Sequence, residues 1–375
     1  MSSLYIHIPF CKTRCIYCGF YSTTCDSVQN DYVSALDKEM SLRQDYLPSA
    51  HVDTVYLGGG TPSQLSPANL EHLFSYIYNR YEVSADAEIT MECNPDDITP
   101  EYAALLGRLP VNRVSMGAQT FSDERLRFIR RRHDADEVRN AVSLLRRNGI
   151  DNISIDLMFG FPEETAADWH SDIMEAVKLD VEHISAYSLM FEEGTPLYKM
   201  LEDGKVKEID EELSVRMYDD LITTLTSNGY EHYEISNFAR SGRSSRHNSA
   251  YWEDIPYIGL GAAAHSYDRK SRQWNVSDIR KYISSINQGK VPCESEDIDL
   301  FTAYNDAITT MLRMHDGINL ELFRKRFGSE LYDYLLRNAR NSISAGHLIS
   351  ENGHLHLTRA GIFISNDVMS DLIYV

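Results

Sequence analysis

Three cysteines lie within eight consecutive positions, in the spacing Cys11-x3-Cys15-x2-Cys18, directly after a short apolar run. Thiolate is the usual protein ligand of iron–sulfur clusters, and three thiolates on one loop can hold three corners of a 4Fe–4S cubane. The fourth iron is then left for a ligand other than cysteine. Zinc is the rival reading, but it takes four ligands, usually in two pairs, and no paired Cys/His motif follows. Cys25 lies seven residues beyond Cys18 at no recognised spacing, and Cys25, Cys93 and Cys293 read as buried or incidental thiols. Six cysteines, three of them clustered, do not make a disulfide framework for 375 residues; they suggest a metal or redox site in a reducing compartment.

A second set of residues falls at the ends of predicted strands. Gly58-Gly59-Gly60-Thr61 could bring backbone close to a ligand, although a glycine run alone is usually only a turn. Glu92 could accept two ribose hydroxyls; the alternative is a helix-capping or solvated acid. Gln119 ends another strand, and Asp156 lies in an apolar stretch where it would be costly to bury unpaired. Arg131 sits in an Arg130-Arg131-Arg132 run, which on its own is most often a solvated face. Further on, Arg246-His247-Asn248-Ser249-Ala250-Tyr251-Trp252 joins an imidazole to two flat aromatic side chains. The other reading is a buried histidine with an aromatic pair.

These residues must be positioned by alternating strands and helices. Strands are expected at Leu4–Ile8, Val52–Leu57, Asp86–Glu92, Asn112–Gln119, Asn152–Leu157 and His183–Leu189. Helical patterns lie between them, among them Gln29–Leu47, a helix after Pro67, Glu137–Arg147 and Ala166–Lys178. Six strand–helix units imply parallel strands and an α/β architecture, a partial (βα)6 barrel of TIM-like kind with chemistry at the C-terminal strand ends. After Gly204 come a helix at Asp210–Ser227 and a stretch at Tyr230–Phe238. The chain then turns helical, with Phe301–Met314, Leu320–Phe327 and Leu331–Ser342, and closes on two short strands around Asn352-Gly353. That order suggests a small, mostly helical, winged-helix-like module. The expected divisions are a core over 1–235, an extension over 236–298 and a C-terminal domain over 299–375.

The net charge of −20 and pI near 5.0 argue against a nucleic-acid partner, including for the winged-helix-like module. No apolar run approaches the roughly 20 residues of a membrane span. The N-terminus lacks the features of a secretory signal, so a cytoplasmic location is expected.

Tyr5-Ile-His-Ile-Pro-Phe-Cys11-Lys-Thr-Arg-Cys15-Ile-Tyr17-Cys18 resembles the opening of the radical-SAM superfamily, and within it the anaerobic coproporphyrinogen III oxidase group. That group holds the HemN-type oxidases and the HemW-type haem chaperones. The resemblance covers nearly the whole chain. It implies that S-adenosylmethionine (SAM) fills the open iron through its amino and carboxylate groups, and that an electron from the cluster yields a 5′-deoxyadenosyl radical. It also implies SAM contacts at Tyr5, Gly59, Gly60, Thr61, Glu92, Gln119, Arg131 and Asp156, and at the backbone of Tyr17.

Three features point to the chaperones. Phe20 stands where the oxidases carry a further cysteine. His247, Asn248, Tyr251 and Trp252 match an HNxxYW motif associated with haem chaperones, in which the histidine ligates haem iron or organises the site without ligating it. Only four residues precede Tyr5, whereas the oxidases begin with an additional segment. Ile258-Gly259-Leu260-Gly261 reads as close backbone packing near the site, and His265 as structural. The expected function is therefore delivery of haem, as cargo, to haem-accepting proteins that include respiratory ones, with an electron donor serving the cluster. Coproporphyrinogen III dehydrogenation and radical-SAM methyl transfer are the alternatives.

Overall fold

Leu4, Ile6 and Ile8 alternate with Tyr5 and His7, and this period of two recurs in the next five strands. The computed structural model describes residues 2–375. In it β1 (Ser3–Ile8), β2 (His51–Gly59), β3 (Glu82–Cys93), β4 (Arg113–Gln119), β5 (Asn152–Phe159) and β6 (His183–Ser188) lie side by side in chain order, all parallel. One face carries Leu4, Ile6, Val55, Ile89, Val114 and Ile155, buried beneath the crossover helices. The other face is polar. The register sets Tyr5 beside Tyr56, Glu92 beside Ser115, and Asp156 beside Ser185. A sheet with one face apolar and the other polar must curl around something other than hydrocarbon, and these side chains line the interior of a partial barrel.

The sheet runs well past six strands. The single stretch expected at Tyr230–Phe238 is two strands, β7 (Glu231–Glu234) and β8 (Asn237–Ala239). The chain turns between them because the Glu234 carboxylate accepts the Ser236 N–H at 2.9 Å and the Asn237 amide. β8 pairs antiparallel with β6. On the opposite edge β9 (Tyr257–Leu260) adds parallel to β1, and β10 (His265–Tyr267), β11 (Ser271–Asn275) and β12 (Cys293–Asp297) continue as a meander. Residues 236–298 thus extend both edges of one twelve-stranded sheet. The helix expected to reach Leu47 ends at Leu42, where Arg43 leaves helical geometry. Its guanidinium bonds the Gly259 carbonyl at 2.9 Å and the Ser266 hydroxyl at 3.0 Å, tying the helix to the added strands.

The C-terminal module has its own core around Tyr304, Phe323, Leu335 and Leu355. The helix Leu320–Ser344 breaks at Gly328, which has φ 79°. β14 (Leu348–Glu351) and β15 (His354–Leu357) turn at Asn352 and Gly353, both at positive φ. β13 (Ile318–Asn319) pairs with β15 as a third strand beyond the two expected. Two buried or half-buried ion pairs, Arg272–Asp306 (2.9 Å) and Arg313–Glu234 (2.7 Å), join module and sheet. Among the described residues no helix is long and apolar enough to cross a membrane.

Candidate cofactor site and an adjoining cleft

The cysteine loop leaves β1 and is anchored at both ends and in its middle. The Cys11 N–H donates to the Thr23 carbonyl (2.9 Å), and the Thr23 N–H donates to the Pro9 carbonyl (2.7 Å). Between the thiols, Ile16 is buried in a small apolar cluster with Ile129, Phe161 and Leu197. Its carbonyl also accepts the Leu197 N–H at 2.9 Å. One apolar anchor among half-exposed cysteines therefore fixes which way the thiols face. All three open on a cavity of about 590 Å³ at the C-terminal ends of the strands. Among the described residues no three His, Cys, Asp or Glu side chains close on one point as a single ion requires. Cys11 Sγ lies 3.4 Å from Thr61 Oγ1, and burial pushes the Cys18 thiol pKa up.

Gly59, Gly60, Thr61, Tyr17, Glu92, Gln119, Arg131 and Asp156 all line this cavity. Gly59 has φ 108°, and a Cβ on it would lie 2.5 Å from the His7 ring. A Cβ on Gly60 would lie 2.8–3.0 Å from the Pro9 and Phe10 backbone, so the glycine turn is what lets the cysteine loop close onto β2. Glu92 accepts from the Tyr56 hydroxyl (2.8 Å) and from the Gly59 N–H (3.1 Å). Burial raises its pKa to about 7, and burial likewise raises that of Asp156 to about 6. Gln119 has φ 68° where the β4–β5 register shifts, which turns its side chain at the strand end. Of the arginine run only Arg130 is exposed: Arg132 pairs with Asp96 (2.7 Å) and Asp97 (2.9 Å). Arg131 points inward, donating to Gly117 O (2.6 Å), Asn94 Oδ1 (2.9 Å) and Cys15 Sγ (3.7 Å).

Sequence reasoning missed Arg113. It is fully buried at the start of β4, faces the cavity, and its Nε and Nη1 have no hydrogen-bond partner among the described residues. It offsets the charge of both Glu92 and Asp156. A charged residue in the alternating polar set Arg113, Ser115, Gly117 and Gln119 of β4 was the available signal. The donor set fits a cubane and a small zwitterion: three thiols on one wall, with two carboxylates and two guanidinium groups facing the same space.

Tyr5 is not in this cavity. It lines a second, wider cleft of about 980 Å³ between the β9–β11 edge and the C-terminal module. Arg14, Gly19, Phe20 and Ser22 border both spaces. Phe20 is 71% exposed on that shared rim. The HNxxYW segment forms the short helix Arg246–Trp252, whose N-terminal N–H groups are capped by buried Glu88 (His247 N at 2.9 Å, Arg246 N at 3.0 Å). The segment divides between the spaces: Asn248 faces the cysteine cavity, and Tyr251 and Trp252 line the cleft. His247 lies in the wall between them, buried, with Nδ1 2.7 Å from Thr54 Oγ1 and Nε2 2.9 Å from the Tyr251 hydroxyl. Burial lowers its pKa to about 3, so it is neutral, but both nitrogens are engaged. As folded, this imidazole organises the wall and has no lone pair turned to either space. Gly259 and Gly261 do mark close packing: a Cβ on Gly259 would lie 2.0 Å from the His265 carbonyl. His265 itself, expected to be structural, is exposed in the cleft.

Comparison with known proteins agrees with this geometry. The Radical SAM superfamily profile matches residues 5–176, and the HemN C-terminal domain profile matches residues 299–364. The superfamily implies a 4Fe–4S cluster and SAM as cofactors. The fold is similar to that of coproporphyrinogen III oxidase (HemN) from Escherichia coli, with TM-score 0.85 and 21% identity over 99% of this chain and 90% of that one. In sequence, the chain is 33% identical to the heme chaperone HemW of Bacillus subtilis over 371 residues, 98% of each chain. It is 30% identical to the heme chaperone HemW of Lactococcus lactis over 99% of this chain and 97% of that one. With full-length identity at this level, the chain belongs to the HemW family of the radical SAM superfamily.

Proposed function

We propose that this protein binds haem and delivers it to haem-requiring proteins, holding a 4Fe–4S cluster and SAM as resident cofactors. The observation that carries the reading is the full-length similarity to proteins named heme chaperones. Two features support it: Phe20 at the rim in place of a further thiol, and an aromatic-walled cleft beside the cysteine cavity.

In this reading Cys11, Cys15 and Cys18 hold three irons. The bound cluster supplies a single electron able to cleave a C–S bond of SAM. Glu92, held by Tyr56 and the Gly59 N–H, receives the ribose hydroxyls in its ionised form. Arg131 sets a positive charge 3.7 Å from Cys15 Sγ, where it would balance the negative charge of a thiolate-bound cluster. Arg113 keeps Glu92 and Asp156 tolerable inside the barrel. Asn248 and Gln119 complete the polar wall. The cytoplasm as location and respiratory proteins as acceptors belong to the same proposal, as does an electron donor that reduces the cluster.

The test is anaerobic. Reconstituted protein titrated with haemin is expected to develop a Soret band and to pass haem to an apo-haem protein. Reduced protein incubated with SAM and coproporphyrinogen is expected to form no protoporphyrinogen. Its formation would establish the oxidase reading instead.

A further inference from the structure

We propose that haem is held in the wide cleft between the β9–β11 edge and the C-terminal module, with His265 as its iron ligand and Arg14 facing a propionate. This deepens, and rests on, the reading of the protein as a haem carrier. The cleft, at about 980 Å³, lies at the upper end of the range for small-molecule and cofactor sites, roughly 300–1,000 Å³. Its walls are rich in flat side chains, including Tyr251, Trp252, Tyr257 and Tyr267. Phe20, at the rim, presents an exposed ring. A macrocycle that must enter and leave needs such a surface, open at one side, more than a sealed slot.

Iron ligation requires an imidazole nitrogen with a free lone pair. Two histidines line the cleft, His7 and His265. His7 is spoken for: Nδ1 lies 3.1 Å from the Tyr5 hydroxyl and Nε2 3.1 Å from the Tyr21 carbonyl. His247 in the wall has both nitrogens bonded as well. Among the described residues His265 makes no hydrogen bond through its ring, which is exposed and packs its face toward Trp274, at 6.2 Å and 28° between planes. It lies on a strand whose backbone is pressed against Gly259, so the imidazole is presented from a rigid support. Partial burial lowers its pKa, which keeps the ring neutral near pH 7.

The charges fit the edge of the ligand. Arg14 is exposed on the rim shared with the cysteine cavity, where its charge acts on Cys18, and makes no ion pair or hydrogen bond among the described residues. The other two guanidinium groups in the cleft are taken, Arg272 by Asp306 and Glu296, Arg326 by Asp254. A carboxylate reaching Arg14 would set the macrocycle edge beside Phe20, next to the SAM cavity. The Trp252 Nε1 is buried without a partner at the same wall, a further donor unused by the protein.

The experiment titrates ferric haemin into anaerobically reconstituted wild-type protein, His265→Ala, His265→Met, His247→Ala and Arg14→Gln, reading the Soret band and the magnetic circular dichroism ligand signature. His265→Ala is expected to weaken binding at least about tenfold and to lose the imidazole signature, with added imidazole restoring the wild-type spectrum. His265→Met is expected to bind with a changed axial signature, and Arg14→Gln to weaken binding a few-fold with an unchanged one. His265 makes no side-chain bond, so these variants should retain cluster content and circular dichroism. Wild-type affinity and spectrum in both His265 variants overturn the proposal while leaving haem carriage intact, and so does loss of the imidazole signature in His247→Ala alone. No Soret change in the wild type overturns haem carriage itself.

Discussion

The cysteine cavity and the wide cleft share a rim and little else. In the cavity charged groups are set against partners, Glu92 against Tyr56 and Gly59, Arg131 against Asn94, Gly117 and Cys15, and Arg113 against the charge of Glu92 and Asp156. Its walls are inward strand positions of β2 to β6, the cysteine loop, the arginine run at 130–132 and Asn248. In the cleft Arg14, His265 and Trp252 Nε1 make no hydrogen bond or ion pair among the described residues, and part of the wall comes from a separately cored module. Groups preset in pairs suit a resident ligand of fixed shape, because nothing reorganises on binding. Unpartnered groups on a surface joined by a few ion pairs suit a ligand that comes and goes.

The comparison breaks most completely at Cys15. Cys15→Ala should abolish stable cluster content, measured as iron and sulfide per chain, while haemin binding in the cleft stays within about twofold of wild type. If both are lost, the two spaces are one site. A smaller effect concerns Glu92. Its pKa is 4.5 when unfolded and about 7 when folded, so the folded chain without cofactor binds the extra proton. Stability is then full below about pH 4.5 and falls as pH rises toward 7, by at most about 3 kcal/mol; Glu92→Gln should flatten that part of the urea-unfolding profile. SAM binding, which uses the carboxylate, should strengthen over the same interval.

His247→Ala comes next. It removes a buried ring and strands Thr54 and the Tyr251 hydroxyl, at a cost of roughly 2–3 kcal/mol in unfolding free energy. Haem affinity should fall less than in His265→Ala, since the effect passes through the wall. Phe20→Ser should be mildest: full cluster content, unchanged melting, and a haemin affinity reduced a few-fold, consistent with about 1 kcal/mol of lost apolar contact. An affinity unchanged in Phe20→Ser would move the macrocycle away from the shared rim.

Much of the cavity was legible beforehand because its determinants are local. Cys11, Cys15 and Cys18 sit on one loop, and the period of two in each strand marks which residues look inward before any partner is known. Other features resisted reading because they depend on contacts far apart in the chain. Leu42 ends its helix because Arg43 finds the carbonyl of Gly259, 216 residues on. Arg131 could not be separated from Arg130 and Arg132 until the loop folded over Cys15. Arg113 became a buried cation only when β3 and β5 brought carboxylates alongside.

Sequence alone determined the cluster ligands to be tested, the parallel barrel and the helical C-terminal module, since spacing and periodicity are properties of short segments. Tertiary structure alone decided where the HNxxYW helix goes. Glu88 caps its N-terminus and Thr54 holds His247, so Asn248 faces one space and Tyr251 and Trp252 the other. It also decided that, of the two histidines lining the cleft, His265 is the one whose ring makes no hydrogen bond among the described residues. A ring's availability depends on every neighbour the fold brings to it, and no spacing in the chain records that.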